Sequence, residues 1–274
     1  MKKRFSLLLA FILVFAFVFV GCSTEGDSTE EGYEEIKAKQ TNQYVTKLNA
    51  LEKVLGKKSL KTVGTVTTEE DETGEKTMTT RTLTVDCSDP DSPKVIESII
   101  IRYETENGES VLSLTAYEEN DSDGTTPIEM QASAPGKEDY SFKGKVDDFA
   151  LYVFPNAAGG IHWGSAVWNL LDALEKMEED PGVKVYVDGD KMKATFDTTA
   201  EGMTKKGEME AVLDADAFEY RISLTTRYEN FGETTIEEGT ISVSDETVAI
   251  PTAGYDELIS DEDFTAVLEE YLGE

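Results

Sequence analysis

The chain has 274 residues, with 25 lysines and arginines against 56 aspartates and glutamates, so its formal net charge at pH 7 is −31. A field of that sign repels nucleic-acid phosphates and anionic lipid headgroups. It therefore argues against a nucleic-acid-binding protein and against one that lies flat on an anionic membrane. The length allows one large domain or two small ones.

The first 22 residues predict where the protein works. Residues 2–4 are basic, residues 5–21 contain no charged residue, and Cys22 follows Gly21. A basic start, a short apolar run and a small residue before the cleavage point are typical of a secretory signal. A cysteine at that junction resembles a bacterial lipoprotein signal peptide, whose cysteine becomes the lipid-bearing N-terminus. The alternative is an uncleaved anchor, although the apolar run is short for a membrane-spanning helix.

Both interpretations place the folded part outside the cytoplasm, attached to the cell membrane, the outer membrane or the cell surface. Residues 1–21 are then the signal peptide. Residues 22–42 are polar and acidic and predict a flexible tether, with a reach of roughly 25 Å. A duplicated α+β domain is expected at 43–255, followed by a C-terminal helix at 256–274.

Hydrophobic periodicity predicts two helices, each followed by strands. The first helix carries Tyr44, Leu48, Leu51 and Leu55 on one stripe. Alternating segments then predict antiparallel hairpins, because no helix separates them. The second helix is expected at about 165–180, and further alternating strands follow it.

Two short matches in the same order indicate that these two halves are copies of one unit. Residues 48–53 (LNALEK) resemble 171–176 (LDALEK), and the tripeptide Arg-Tyr-Glu occurs at both 102–104 and 227–229. We therefore expect repeat 1 at about 44–120, an insert at about 121–160 and repeat 2 at about 165–245. Each copy is expected to contain one helix and four strands.

The expected fold class is α+β, with a curved antiparallel sheet of about ten strands packed on helices. Together with the lipoprotein signal, this layout resembles the bacterial LolA/LolB and LppX/LprG type of lipoprotein. The resemblance implies a gap between sheet and helices that holds acyl chains. The tandem layout also resembles the beta-lactamase-inhibitor-protein type of repeat, in which the concave sheet binds another protein.

The segment that joins the two copies, 154–164, is rich in glycine and alanine and contains the only histidine. A loop of this kind could open and close an apolar cavity. The candidate ligand-binding residues are therefore Phe154, Trp163, Trp168 and Leu170. The alternative is an ordered crossover whose tryptophans fill the core.

Other candidate sites are weak. His162 lies near Ser165, but the serine fits better as a helix N-cap than as a nucleophile. Residues 119–124 partly match a calcium loop, yet Met130 stands where the closing glutamate should be. Cys87 shares a strand face with Leu83 and Val85 and is expected to be a buried apolar residue.

The sequence therefore predicts a membrane-anchored, non-enzymatic lipoprotein of the cell envelope without cofactor or metal. Its partners would be the membrane, through the N-terminal lipid, and either a lipid-like ligand or a cationic protein, but no nucleic acid. The alternative function is a surface protein that binds another protein without any small ligand.

Lipidation at Cys22 can be tested directly. Labelled fatty acid should enter the wild-type protein and should be lost in Cys22→Ser, because the serine hydroxyl does not replace the thiol that receives the lipid. The measurement is fluorography of the immunoprecipitated protein. Equal labelling of both proteins would show that Cys22 is not the attachment site.

Overall fold

The computed structural model describes residues 32–89, 91–119, 125–147, 161–200, 202–251 and 253–272. The helices span Thr41–Leu55 (α1), Ile161–Lys176 (α2) and Asp261–Leu272 (α3). The strands span Glu34–Glu35 (β1), Leu60–Glu70 (β2), Lys76–Asp86 (β3), Lys94–Thr105 (β4), Gly108–Glu119 (β5), Thr125–Ser133 (β6), Tyr140–Asp147 (β7), Val183–Asp188 (β8), Lys191–Ala200 (β9), Met203–Val212 (β10), Glu219–Tyr228 (β11), Glu233–Val243 (β12) and Leu258–Ile259 (β13).

Among the described residues, all thirteen strands form one sheet, in the order β1-β8-β9-β10-β11-β12-β2-β3-β4-β5-β6-β7-β13. Two antiparallel meanders, β8–β12 and β2–β7, are joined where β12 pairs with β2. The sheet is mixed, because β13 runs parallel to β7. The strands at both ends of the sheet have only two residues, which limits the exposed edge available for pairing with another chain.

Alternation along the strands gives the sheet two different faces. On β5, Leu112, Leu114 and Ala116 are buried, whereas the intervening Ser113 and Thr115 are partly exposed. The helices pack on the face that carries the buried residues, and we call it the helix face. The opposite side, to which Ser113 and Thr115 belong, is the outer face.

Two hydrophobic clusters lie on the helix face. The α1/α2 cluster joins Leu48, Leu51 and Leu55 of α1 to α2 and to strands β2, β3 and β8–β12. The α3 cluster joins Phe264 and Val267 to β4–β7. The two clusters meet between β3 and β5.

A C-terminal connection reaches α3 by crossing the sheet from β12 to β7. The backbone N–H of Val248 donates to Asp86 at 3.0 Å, which lowers the pKa of that carboxyl. Further along, the Tyr255 ring packs edge-on against Tyr117, with 6.1 Å between the centroids, and its hydroxyl donates to Glu129 at 2.5 Å. These contacts position β13, and β13 leads directly into α3.

The predicted fold class was wrong. Instead of about ten antiparallel strands built from helix-plus-four-strand repeats, the chain forms one large mixed sheet of thirteen strands with three short helices. Six strands follow α1 and six follow α2. The two-residue strands β1 and β13 are too short to produce an alternating pattern, and the parallel β13 pairs across a separation of more than 100 residues.

The duplication itself stays a prediction. Arg102 lies on the third strand after α1, and Arg227 lies on the fourth strand after α2. Both precede a hairpin turn, as their shared sequence context suggested.

The start of the described chain belongs to the folded domain, although the sequence predicts that residues 32–42 are part of the tether. Glu34 and Glu35 pair with β8, and Ile36 is buried, with its N–H donating to the Val185 carbonyl at 2.8 Å. A single apolar residue in an acidic segment gives no periodic signal. The predicted signal peptide and Cys22 lie outside the described residues, and no described helix is long and apolar enough to cross a membrane.

Truncation of either helix stripe should destabilise the domain. Leu51 is 7% exposed and Leu174 is 0% exposed, and both belong to the α1/α2 cluster. Replacing either by alanine should lower the free energy of unfolding by about 2–5 kcal/mol, because a cavity replaces packed methyl groups. Urea unfolding measures this. Trp168→Ala on the same α2 is the control, since Trp168 is 69% exposed and should change stability by less than about 0.5 kcal/mol.

Candidate functional site

The structure describes the side chains of two of the four predicted ligand-binding residues, Leu170 and Trp168. Leu170 is 0% exposed inside the α1/α2 cluster, so it is part of the core. Trp168 projects into solvent from the other side of α2. Trp163 lies on α2, but its side chain is outside the described residues, as is the whole of Phe154.

The other weak candidates from the sequence are resolved only in part. Cys87 is half-buried beside the α1/α2 cluster, and burial raises the pKa of its thiol. The side chain of His162 and residues 120–124 of the calcium-like segment lie outside the described residues. Within the described ranges, no group of three or more His, Cys, Asp or Glu side chains is placed to hold a metal ion.

An open cleft of about 480 Å³ lies on the outer face, across β10, β11, β12 and β2. Its lining is part apolar and part charged. The lining residues are Val63, Gly64, Thr65, Glu208, Glu210, Arg221, Ile222, Ser223, Glu238, Gly239 and Thr240.

Glycines on the opposite face shape the floor of this cleft. Gly64 and Gly239 stand opposite one another on β2 and β12, and both line the cleft through their backbones. Glycine inside a strand marks a bend or a close approach of backbones. On β10, Gly207 has a φ of 136°, and a β-carbon there would collide with the Ser223 carbonyl. The sheet can therefore curve sharply at this point.

The charge of the cleft is negative. Glu208 forms an ion pair of 2.8 Å with the buried Lys193. Glu210 accepts a hydrogen bond of 2.7 Å from the Tyr33 hydroxyl. The one arginine of the lining, Arg221, is engaged by Glu219 through bonds of 2.6 and 2.8 Å, which raise the pKa of its guanidinium. Three carboxylates thus line the cleft, and its one guanidinium is already partnered.

Sequence reasoning missed this site for a simple reason. Glutamates recur throughout the chain, and on these strands they occupy the positions that alternate with apolar residues, as solvated side chains do. Only the sheet order brings β2, from the first half, beside β12, β11 and β10 from the second. The glycine pair Gly64 and Gly239 was the one available signal.

Apart from the cleft on the outer face, a group of polar side chains lies on the helix face, at the boundary of the two clusters. Arg81 on β3 donates through Nε to Oε1 of Glu97 on β4, and Glu97 is only 1% exposed. The remaining Arg81 Nη2 and Glu97 Oε2 are buried without a hydrogen-bond partner in the described structure, as is Thr62 Oγ1. Glu118 on β5 faces the same side and lies diagonally from Glu97, because Val95 pairs with Glu118 and Glu97 with Ala116.

A second charged pair lies elsewhere on the helix face. Lys205 on β10 and Glu237 on β12 are both mostly buried. Burial lowers the pKa of Lys205, whose ammonium stands 4.7 Å from the Phe196 ring centroid. Burial also raises the pKa of Glu237, and the charge of Lys205 opposes that shift. This pair contains one cation and one carboxylate.

Comparisons with known proteins give only distant likenesses. No protein-family model and no curated protein matches the chain. A beta-barrel-like protein of domain of unknown function DUF1849 from Brucella abortus is 10% identical, covering 69% of this chain and 98% of its own, with a TM-score of 0.27. A DUF1329 family protein from Desulfovibrio piger is 7% identical, covering 76% and 95%, also with a TM-score of 0.27. Likenesses at this level carry no argument about fold or function.

The close approach of β10 and β11 at Gly207, beside the cleft, can be tested by substitution. Gly207→Ala should lower the free energy of unfolding by about 1–3 kcal/mol, because the new β-carbon meets a backbone carbonyl and the φ angle disfavours it. Chemical unfolding measures the loss. Gly56→Ala is the control, since Gly56 has a φ of −58° and a β-carbon there meets only the Glu52 carbonyl at 3.5 Å. A neutral Gly207→Ala would show that the strands do not approach closely here.

Proposed function

We propose that this protein is a non-enzymatic, membrane-anchored binding protein of the cell envelope, and that its partner is another protein that docks on the outer face. One observation carries the proposal: Leu170, which was expected to line a lipid cleft, is fully buried in the α1/α2 cluster, whereas the outer face presents an open cleft. Leu174 on the same helix is fully buried as well. The open cleft of the outer face lies on β2 and β10–β12.

The chemistry of the cleft defines the partner. Its carboxylates Glu208, Glu210 and Glu238 sit in a chain whose net charge is −31. Such a field attracts a basic segment and accelerates its association. Val63, 41% exposed on the floor, supplies apolar contact for the stems of lysine or arginine side chains. The proposed partner therefore presents an extended segment rich in lysine or arginine.

The lipoprotein signal supplies the rest of this proposal. A lipid on Cys22 would hold the domain at a membrane surface outside the cytoplasm, where it could meet partners of the envelope. The acidic field argues against nucleic acid as a partner.

A lipid-like ligand is the second candidate, in keeping with the resemblance to the LolA/LolB and LppX/LprG lipoproteins. It is favoured by one stretch of the helix face that is not fully buried, where Val66, Thr79 and Ile101 lie side by side on β2, β3 and β4. An acyl chain on this stretch would gain about 0.8 kcal/mol per buried methylene.

Binding of a defined basic peptide tests the leading proposal. A fluorescent octalysine should bind the purified protein saturably, and Glu238→Lys should weaken that binding at least tenfold, about 1.4 kcal/mol, because it places a cation in the cleft. Fluorescence anisotropy at physiological salt measures Kd.

The matched control is Glu179→Lys, which makes the same charge change at an exposed position after α2. It should change Kd by no more than about twofold, because salt screens charges that lie far from the cleft. Equal weakening by both variants would mean that net charge alone attracts the peptide. Saturable binding of a fluorescent fatty acid, with no binding of octalysine, would move the lipid-like ligand to first place.

A further inference from the structure

The boundary between the two hydrophobic clusters holds more carboxyl groups than cations. Leu83 and Val95 on one side belong to the α1/α2 cluster, while Ile99 on the other belongs to the α3 cluster. Glu97 lies between them on β4, with its Oε2 unpartnered. Arg81 and Glu118 complete what we call the carboxyl cluster: two carboxyl groups and one guanidinium.

The charges that face this cluster do not correct the imbalance. Thr62 and Gly64 on β2 are uncharged neighbours of Leu83 and Arg81. The helix α3, which contacts β5, carries only acidic charged residues, and their described side chains, Glu262, Asp263, Glu269 and Glu270, are exposed. The Lys205–Glu237 pair elsewhere on the face is balanced. One carboxyl group of the cluster is therefore left without a cation.

We propose that Glu97 and Glu118 share one proton in the folded protein, and that loss of this proton separates the α1/α2 cluster from the α3 cluster. With the proton bound, one carboxylate pairs with Arg81 and the neutral carboxyl packs beside it. When the proton leaves to solvent, the carboxylates of the buried Glu97 and the partly buried Glu118 compete for one guanidinium. Opening the boundary readmits water and relieves this repulsion.

The direction of the pH dependence follows from the same groups. Burial raises the pKa of Glu118 to about 7, with repulsion from Glu97 adding to the shift, and burial also raises the pKa of Glu97. The folded state therefore binds this proton more tightly than the unfolded chain does. Stability from this cluster is greatest below about pH 4.5, falls as the pH rises toward 7, and is then constant. Carboxyl groups of lowered pKa, such as Asp86, titrate below this window.

Thermal unfolding of the purified full chain at pH 5.5 and 8.0 tests the proposal. All proteins should carry His162→Gln, because the only histidine would titrate in the same range. In that background Tm should fall by about 3 °C or more between the two pH values. Adding Glu118→Gln, which mimics the neutral carboxyl, should remove at least half of that fall and raise Tm at pH 8.0. Adding Glu238→Gln on the outer face should leave the fall unchanged.

Hydrogen–deuterium exchange, corrected for intrinsic pH dependence, locates the change. Peptides covering β3–β5 should lose protection at pH 8.0 in the background protein and keep it with Glu118→Gln. The same pH dependence with and without Glu118→Gln would overturn the proposal. If the variant does not fold, carboxyl NMR of the unmutated cluster decides instead: a carboxyl titration between pH 6 and 8 supports the shared proton, and its absence overturns it.

Discussion

The pairing of β12 with β2 is the constraint on which the architecture depends, because it joins the two meanders into one sheet. The two strands pair along their whole length, from Glu233 opposite Glu70 to Val243 opposite Leu60. Contacts beyond the ladder reinforce the junction at one end, where Arg227 binds Asp71 and the Asp71 N–H donates to the Gly232 carbonyl at 2.7 Å. Because the halves share one sheet, α1 and α2 meet on the same face and bury a common cluster.

The two faces of the sheet differ in what packs on them. Helices pack on the helix face, where side chains such as Leu48 and Leu170 are fully buried. In the described part of the chain no helix packs on the outer face, whose side chains alternate along each strand with the core residues. Close glycine contacts between β2 and β12 let the sheet bend, which produces an acidic cleft at the junction of the halves. The open cleft of the outer face therefore lies where the two meanders join.

Because the sheet is wide and few helices pack on it, some charged side chains on the helix face are buried or partly buried. In the described structure three helices pack on a sheet of thirteen strands. Glu97 is buried on the helix face, and Arg81, Lys205 and Glu237 are partly buried there. An ion pair in a dry interior stabilises little over an apolar pair, but losing one partner is expensive. The surplus carboxyl at Glu118 therefore makes one boundary of the core sensitive to protons.

The sequence determined the local structure of this protein. The apolar stripes of α1 and α2 and the alternation of β5 identified helices, strands and core residues such as Leu51 and Leu174 correctly, because each signal depends only on residues close together in the chain. The strand order, the two-residue strands and the cleft were decided by tertiary structure. Alternation shows that one face is buried but not which strand lies beside it, and Gly64 and Gly239 are 175 residues apart. The carboxyl cluster likewise exists only because antiparallel pairing places Arg81, Glu97 and Glu118 on one face. Burial there strengthens the interactions between their charges.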